Sequence, residues 1–142
     1  MPHSEAWKRI WRKPRPRHAL PTVWGWMALY PDGERPCAPG LEIGKHSDIG
    51  AFTLINARFG VRIGKDAQIG PHCAILSDDS IGGNAGPIRI GKGARIGAHC
   101  TILPNVSIGA GALVGAHSLV PSGTTIKARE FWAGAPATRR IR

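Results

Sequence analysis

The chain of 142 residues has no run near the ~18–20 consecutive apolar residues of a membrane-spanning helix. Acids are scarce: nine Asp and Glu stand against nineteen Lys and Arg, a formal net charge of +10. Cysteine is scarce as well. Its three positions (Cys37, Cys73, Cys100) make an odd number without a C-x-x-C pair, which excludes a disulfide framework and a zinc-ribbon motif. A reducing, cytoplasmic setting is expected, peripheral at the inner membrane face if the N-terminus touches lipid. Histidine is missing from the whole of 73–98.

The excess charge is at the ends. Residues 1–18 hold six Lys or Arg against one acid, and residues 127–142 hold five against one, leaving 19–126 with eight against seven. Such ends suit an anionic lipid surface, nucleic acid or a phosphorylated small ligand, but the near-neutral body offers nucleic acid no continuous basic face, so none is expected. Trp7, Ile10 and Trp11 fall at i, i+3 and i+4 opposite Lys8, Arg9, Arg12 and Lys13. This spacing predicts a short amphipathic helix over 4–13, ended by Pro14 and Pro16. Residues 4–17 are therefore a candidate for weak membrane-surface contact, or for packing on the domain or a neighbouring subunit. Residues 19–30 loosely mimic a signal peptide, but Pro21, Gly25 and the missing small-residue cleavage site argue against one.

What the sequence does have is a period. Ile90, Ile96, Ile102, Ile108, Val114, Val120 and Ile126 recur every six residues, as do Ile43, Ile49, Ile55 and, after a two-residue slip, Ile63, Ile69, Ile75. Six is three strand periods and not a helical one, and regularity of this kind marks a solenoid. The reading is three short strands per coil, with the aliphatic residue and the small residue four positions later both inward. The glycine that commonly follows the aliphatic is expected to turn the corner. Stacked coils bury one apolar column, and Cys73 and Cys100 fill inward small slots as core residues. The fold class is all-β. Residues 1–40 are expected to form an N-terminal extension that either caps the first coil against edge pairing or helps build a binding site, 41–126 the solenoid with a loop inserted at 77–89, and 127–142 a basic tail.

The repeat over roughly 41–142 resembles the hexapeptide-repeat family, whose fold is a left-handed parallel β-helix. The C-terminal run, with Pro104, then Gly115-Ala116-His117-Ser118, then Gly134-Ala135-Pro136-Ala137 followed by Arg139 and Arg140, resembles the end of the galactoside, maltose and serine acetyltransferases and the sugar acetyltransferases of polysaccharide biosynthesis. That resemblance implies a homotrimer with sites between subunits, acetyl-CoA as acyl donor and a sugar or amino-sugar acceptor, hydroxyl or amine, in cell-surface polysaccharide or nucleotide-sugar metabolism. It implies that Ala98 and Ala116 line the pantetheine groove with Pro121 near it, and that Arg139 or Arg140 takes the phosphates, where a guanidinium fork suits bidentate bonding.

Counting coils, the insertion leaves the third face, where Asp79 would otherwise put a carboxylate into an inward slot at a high desolvation cost. In the galactoside-type enzymes a loop leaves here carrying the catalytic histidine. In this chain its place is held by Asp78, Asp79 and Ser80. Asn56 stands roughly where serine acetyltransferases have another catalytic histidine, and Arg58 where galactoside-type enzymes have an acid. Asn56, Arg58 and Asn84 are the acceptor-side candidates. The candidate bases are Asp78, Asp79 and His72, since adjacent carboxylates raise one another's proton affinity and an amine acceptor needs less base than a hydroxyl. Two other readings stay open: a catalytically degenerate trimeric binding or assembly module, and a zinc protein like the γ-class carbonic anhydrases. His72, His99 and His117 should stack as an outward ladder on the second face, but the H-x4-H pair of those anhydrases is absent and no metal is expected.

Overall fold

The computed structural model describes residues 23–24, 27–30 and 40–141. The amphipathic stretch 4–13, the lipid contact over 4–17 and Cys37 lie outside the described residues. The described chain is all β, coiled as a left-handed parallel β-helix of about five turns.

Register follows the six-residue period. On the first face Leu41–Ile43, Val61–Ile63, Ile88–Ile90, Ser107–Ile108 and Thr125–Ile126 stack in parallel, on the second Asp48–Ile49, Gln68–Ile69, Arg95–Ile96 and Leu113–Val114, and on the third Thr53–Asn56, Ala74–Leu76, Thr101–Ile102 and Leu119–Val120. Each aliphatic sits beneath the aliphatic of the next coil, as Ile63 pairs Ile90 and Ile90 pairs Ile108. β-Branched side chains suit this column because their stiff χ1 packs against like neighbours on a pleated surface. Ile55, Ile75, Ile102, Val114 and Val120 are fully buried, each worth roughly 1.5–3 kcal/mol of apolar transfer. Backbone N–H groups reach the next coil along every rung, as from Gly64 to the Ile90 carbonyl at 2.7 Å and from Gly91 to Ile108 at 2.7 Å.

The corners correct one expectation. The glycines after the aliphatics do not turn the chain. The left-handed residue is two positions further on: His46, Phe52, Asp66, His72, His99, Asn105, His117 and Arg129 have φ of 58° to 63°. That conformation costs a non-glycine residue roughly 1–2 kcal/mol. It aims the residue's N–H back at the preceding coil, as His72 at Ala51 (3.0 Å) and His117 at Ala98 (2.9 Å). The glycines are needed for closeness instead. A Cβ on Gly64 would lie 2.6 Å from the Lys92 nitrogen and one on Gly70 2.6 Å from that of Ala98, distances that side-chain carbons do not tolerate.

Two departures break the prism. Between Asn56 and Leu76 on the third face and the first face beyond, coil one slips by two residues and coil two extrudes a hairpin in which Asp78–Asp79 pair antiparallel with Asn84–Ala85. The excursion is narrower than 77–89, because Ser77 and Ile88 are both fully buried. Ile88 takes the inward slot beside Val61 that the uninterrupted period would have given to Asp79. At the other end Phe131–Gly134 continues the second face, Trp132 beneath Val114, and Ala137–Arg140 folds back on it antiparallel through a cis Ala135–Pro136 bond. The basic tail is thus an ordered sheet edge. From the extension, Met27–Tyr30 pairs antiparallel with Thr53–Asn56, and Val23–Trp24 pairs with Met27–Tyr30.

Candidate active site

The residues singled out by sequence fall on two corners, at opposite ends of the third-face strands. At the corner between second and third faces the chain repeats a small residue followed by a ring: Ala51-Phe52, Pro71-His72, Ala98-His99, Ala116-His117. The rings stack as a ladder, Phe52 on His72 at 5.3 Å, His72 on His99 at 4.9 Å and 6°, His99 on His117 at 4.8 Å and 2°. Nearly parallel planes one coil apart keep the nitrogen lone pairs from converging on a common point, and tetrahedral zinc needs convergence. Among the described residues no group of three or more His, Cys, Asp or Glu could hold a metal ion.

Beside this ladder a groove of about 410 Å³ runs along the second face over Gly50, Gly70, Pro71 and Gly97, with Arg95 and Leu113 on its wall. Bare backbone and small side chains leave room for an extended arm, and the C-terminal hairpin continues the same face. Ala98 and Ala116 lie at this corner; Pro121 does not, because it follows Val120 at the far end of the third face. Arg139 pairs with Glu130 at 3.0 Å, and Arg140 donates to the Ala133 carbonyl through Nη2 at 3.1 Å and Nε at 3.3 Å. Glu130 accepts the Lys127 N–H at 2.8 Å and the Trp132 indole N–H at 3.2 Å. Its carboxyl is held below the usual range, first by the Lys127 N–H, then by Trp132 and by the charges of Arg139 and Lys127, against a smaller desolvation cost.

The corner between third and first faces carries the hairpin. Asp78 receives Arg58 Nη1 at 3.1 Å. Asp79 Oδ1 accepts the Gly82 N–H at 3.1 Å, and among the described residues nothing else bonds this carboxylate. Asn84 donates to the Gly82 carbonyl at 3.3 Å. Asn56 is 8% exposed, and its Oδ1 accepts the Arg58 N–H at 3.1 Å, so it shapes the turn that presents Arg58. His72 is six residues from Asp78, at the other end of Ala74–Leu76, up to roughly 20 Å of extended chain. Within one chain the three candidate bases do not share a site.

Two positioning residues were not picked out from sequence. Ser77 Oγ donates to the Asn56 carbonyl at 2.7 Å and accepts the Phe59 N–H at 3.0 Å, tying the slip to the hairpin's root. Asn105 Nδ2 donates to the Ala85 carbonyl at 3.1 Å, pinning the returning limb from coil three. The period carried a signal for Asn105, an asparagine at a left-handed corner position, which that residue type tolerates. The buried thiols are core, as read: Cys73 donates to the Gly97 carbonyl at 3.2 Å and Cys100 to that of Gly115 at 3.1 Å. Cys73 is pushed well above the thiol range, first by its hydrogen bond with Cys100 and then by burial.

Parallel six-residue rungs stacked on three faces make this fold a left-handed parallel β-helix. Residues 87–127 match the family model described as bacterial transferase hexapeptide (six repeats). Among solved structures the chain is similar to AntD, an N-acyltransferase from Bacillus cereus in complex with dTDP and 3-hydroxybutyryl-CoA, at 27% identity and TM-score 0.64, covering 70% of this chain and 61% of that one. In fold it is similar to a hexapeptide-repeat acetyltransferase from Vibrio cholerae bound to acetyl coenzyme A (24% identity, TM-score 0.66, 72% and 60% coverage). The same holds for a serine acetyltransferase in complex with cysteine (23%, TM-score 0.60, 73% and 39%). The chain spans about three-fifths of the length of AntD. No curated protein matches it.

Proposed function

We propose that the protein is a coenzyme A-dependent acyltransferase, acetyl being the expected group, that acylates the amine of a sugar, in the cytoplasm and as a homotrimer. The observation that carries this reading is the hairpin: the element that leaves the coil at the third corner presents carboxylates and no imidazole. A hydroxyl acceptor needs a base to become nucleophilic, whereas a neutral amine attacks with its own lone pair. The likeness to AntD, described as an N-acyltransferase, supports an amine as well.

Acyl-coenzyme A, with its pantetheine arm in the second-face groove and its phosphates near the Arg139–Arg140 edge, is the donor of the activated thioester. The amine nitrogen forms a C–N bond to the thioester carbonyl carbon, the C–S bond breaks, and the proton lost from nitrogen ends on the departing thiolate, giving an amide and free thiol. Asp79, with one oxygen uncommitted among the described residues, is the group to hold the incoming ammonium, take the first of its two protons so that the lone pair is free to attack, and release that proton to solvent. Asp78 and Arg58 fix the hairpin for it.

Assembly closes the distance between the corners. The third face turns Leu54, Leu76, Leu103 and Leu119, all half-buried, outward, where the first face turns Glu42, Arg62 and Arg89. Ile81 at the hairpin tip is 100% exposed. Both features suit a second copy of the chain, which would bring the ladder corner of one subunit toward the hairpin of the next.

Calorimetric titration with acetyl-CoA tests the reading: binding is expected, and none at millimolar concentration would sink it and leave the binding-module alternative. With an amino-sugar acceptor and thiol detection, Asp79→Asn is expected to lower kcat about hundredfold, within the usual span for general acid–base groups. An unchanged rate removes Asp79 from the chemistry.

A further inference from the structure

The slip of coil one and the hairpin of coil two both rejoin the prism at one place, and they leave a groove there. It holds about 220 Å³ on the first face. Val61 and Ile88 floor it, Gly60 and Pro87 form its lip, and Arg62 and Arg89 stand along one wall. Gly60 keeps the lip low: a Cβ on it would meet only the Pro87 ring, at 3.9 Å. The two arginines are register neighbours on adjacent coils, with Glu42 one coil before them.

Charge on this wall does not balance. Glu42 takes Arg62 Nε at 2.9 Å, and Arg89 has no acidic partner among the described residues. Lys65 and Lys92 follow on the same two coils at the next corner, both exposed and without an ion pair among the described residues, with Asp66 the acid beside them. Two arginines on strands one coil spacing apart, roughly 4.8 Å, with a single carboxylate, Glu42, on the far side of Arg62, suit a group of more than one negative charge. A phosphoryl group fits it, since the guanidinium fork bonds phosphate oxygens bidentately.

We infer that this groove is the subsite for a phosphate carried by the acceptor, with Arg89 its principal ligand and Arg62 shared between phosphate and Glu42. The assignment rests on the acyltransferase reading for the word acceptor and on the groove alone for the phosphate. The acceptor is then a phosphate-linked amino sugar, nucleotide-borne or lipid-borne, lying across the first face with its sugar toward the hairpin.

The test uses the full chain and three titrants: dTDP, coenzyme A and vesicles of phosphatidylcholine with or without phosphatidylglycerol. Wild-type protein is expected to bind dTDP, Arg89→Gln to weaken it at least tenfold, Arg89→Lys to fall between, and coenzyme A to bind all three alike. Protein that ignores dTDP but sediments with phosphatidylglycerol vesicles, and loses this in Arg89→Gln, keeps the site and makes the source a lipid headgroup. Equal affinity of wild type and Arg89→Gln for every phosphate overturns the site, and equal weakening toward coenzyme A and dTDP overturns its assignment to the acceptor. Failure of coenzyme A to bind, with Arg89-dependent dTDP binding intact, sinks the acyltransferase reading and leaves the phosphate site standing.

Discussion

The two hairpins use similar parts to different ends. Each has an acid paired with an arginine: Asp78 with Arg58 at 3.1 Å, Glu130 with Arg139 at 3.0 Å. Each is pinned by a polar side chain of the coil: Asn105 holds the Ala85 carbonyl at 3.1 Å, and Ser118 Oγ accepts the Gly134 N–H at 3.2 Å. The C-terminal hairpin nevertheless belongs to the prism, stacking Phe131 and Trp132 under Leu113 and Val114 as one more rung, while the inserted hairpin pairs only with itself and sends Ile81 into solvent. A hairpin that extends a face contributes to folding. One that leaves the face contributes little to it and is free to serve a ligand or a neighbouring subunit.

That contrast breaks most sharply at the hydrophobic residues. Trp132→Ala removes a partly buried ring packed on the core and is expected to cost roughly 2–3 kcal/mol, below the 3–5 kcal/mol of a fully buried tryptophan. Ile81→Ser removes as apolar a side chain and is expected to leave subunit stability within about 0.5 kcal/mol, as for surface substitutions generally. Chemical denaturation of both variants at low protein concentration checks this. Equal losses would show that the inserted hairpin is part of the folding unit.

The repeat alone makes the prism legible. Period six assigned every inward aliphatic to its face, and Ile63, Ile69 and Ile75 do stack under Ile90, Ile96 and Ile102, because a strand repeat with one buried side admits no other register. It also located the departure at the third corner, since a carboxylate could not fill the slot Ile88 occupies. The corner dihedral is not legible in the period, because the left-handed residue lies two positions beyond the glycine. The regular spacing of glycine suggests a turn residue, but glycine is there because the next coil's backbone lies against its Cα, a contact between residues some twenty positions apart. The two-corner split of His72 from Asp78 and Asp79 was hidden for the same reason: spacing along the chain gives the face a residue follows, and only the closed prism says how far apart two corners stand.

The pins give a finer version of the same comparison. Ser118 is buried, and its hydroxyl also donates to the Gly115 carbonyl at 2.6 Å. Ser118→Ala leaves buried groups short of a partner and is expected to cost about 1–2 kcal/mol. Asn105 is exposed and stands at a left-handed corner, φ 63°, so Asn105→Gly, which adopts that conformation without strain, should lower the unfolding free energy by less than about 1 kcal/mol yet raise KM for the acceptor while leaving coenzyme A affinity as it was. A matched pair of denaturation curves and acceptor titrations reads both. A change in coenzyme A affinity in Asn105→Gly would mean that the inserted hairpin reaches the donor side.

The smallest effect expected is one of pH, and it separates the two ion pairs by the way each is held. Glu130 accepts N–H groups from Lys127 and Trp132 as well as Arg139, and its folded carboxyl lies below the ordinary value. A depressed folded value means that the unfolded chain binds the proton more tightly. The contribution is therefore complete above the unfolded glutamate value near 4.3 and is lost as pH falls through the lower folded one. Because the partners of this carboxylate, Lys127, Trp132 and Arg139, all belong to the C-terminal segment, the loss should be local: the C-terminal hairpin loosens at its Arg139 edge while the coils stay folded. Subtracting the emission of Trp132→Phe from that of wild type isolates the Trp132 indole, which should report a transition below pH 4.3 that is absent in Glu130→Gln. A signal flat down to the pH of global unfolding would show that the rung, and not the carboxylate, holds this hairpin in place.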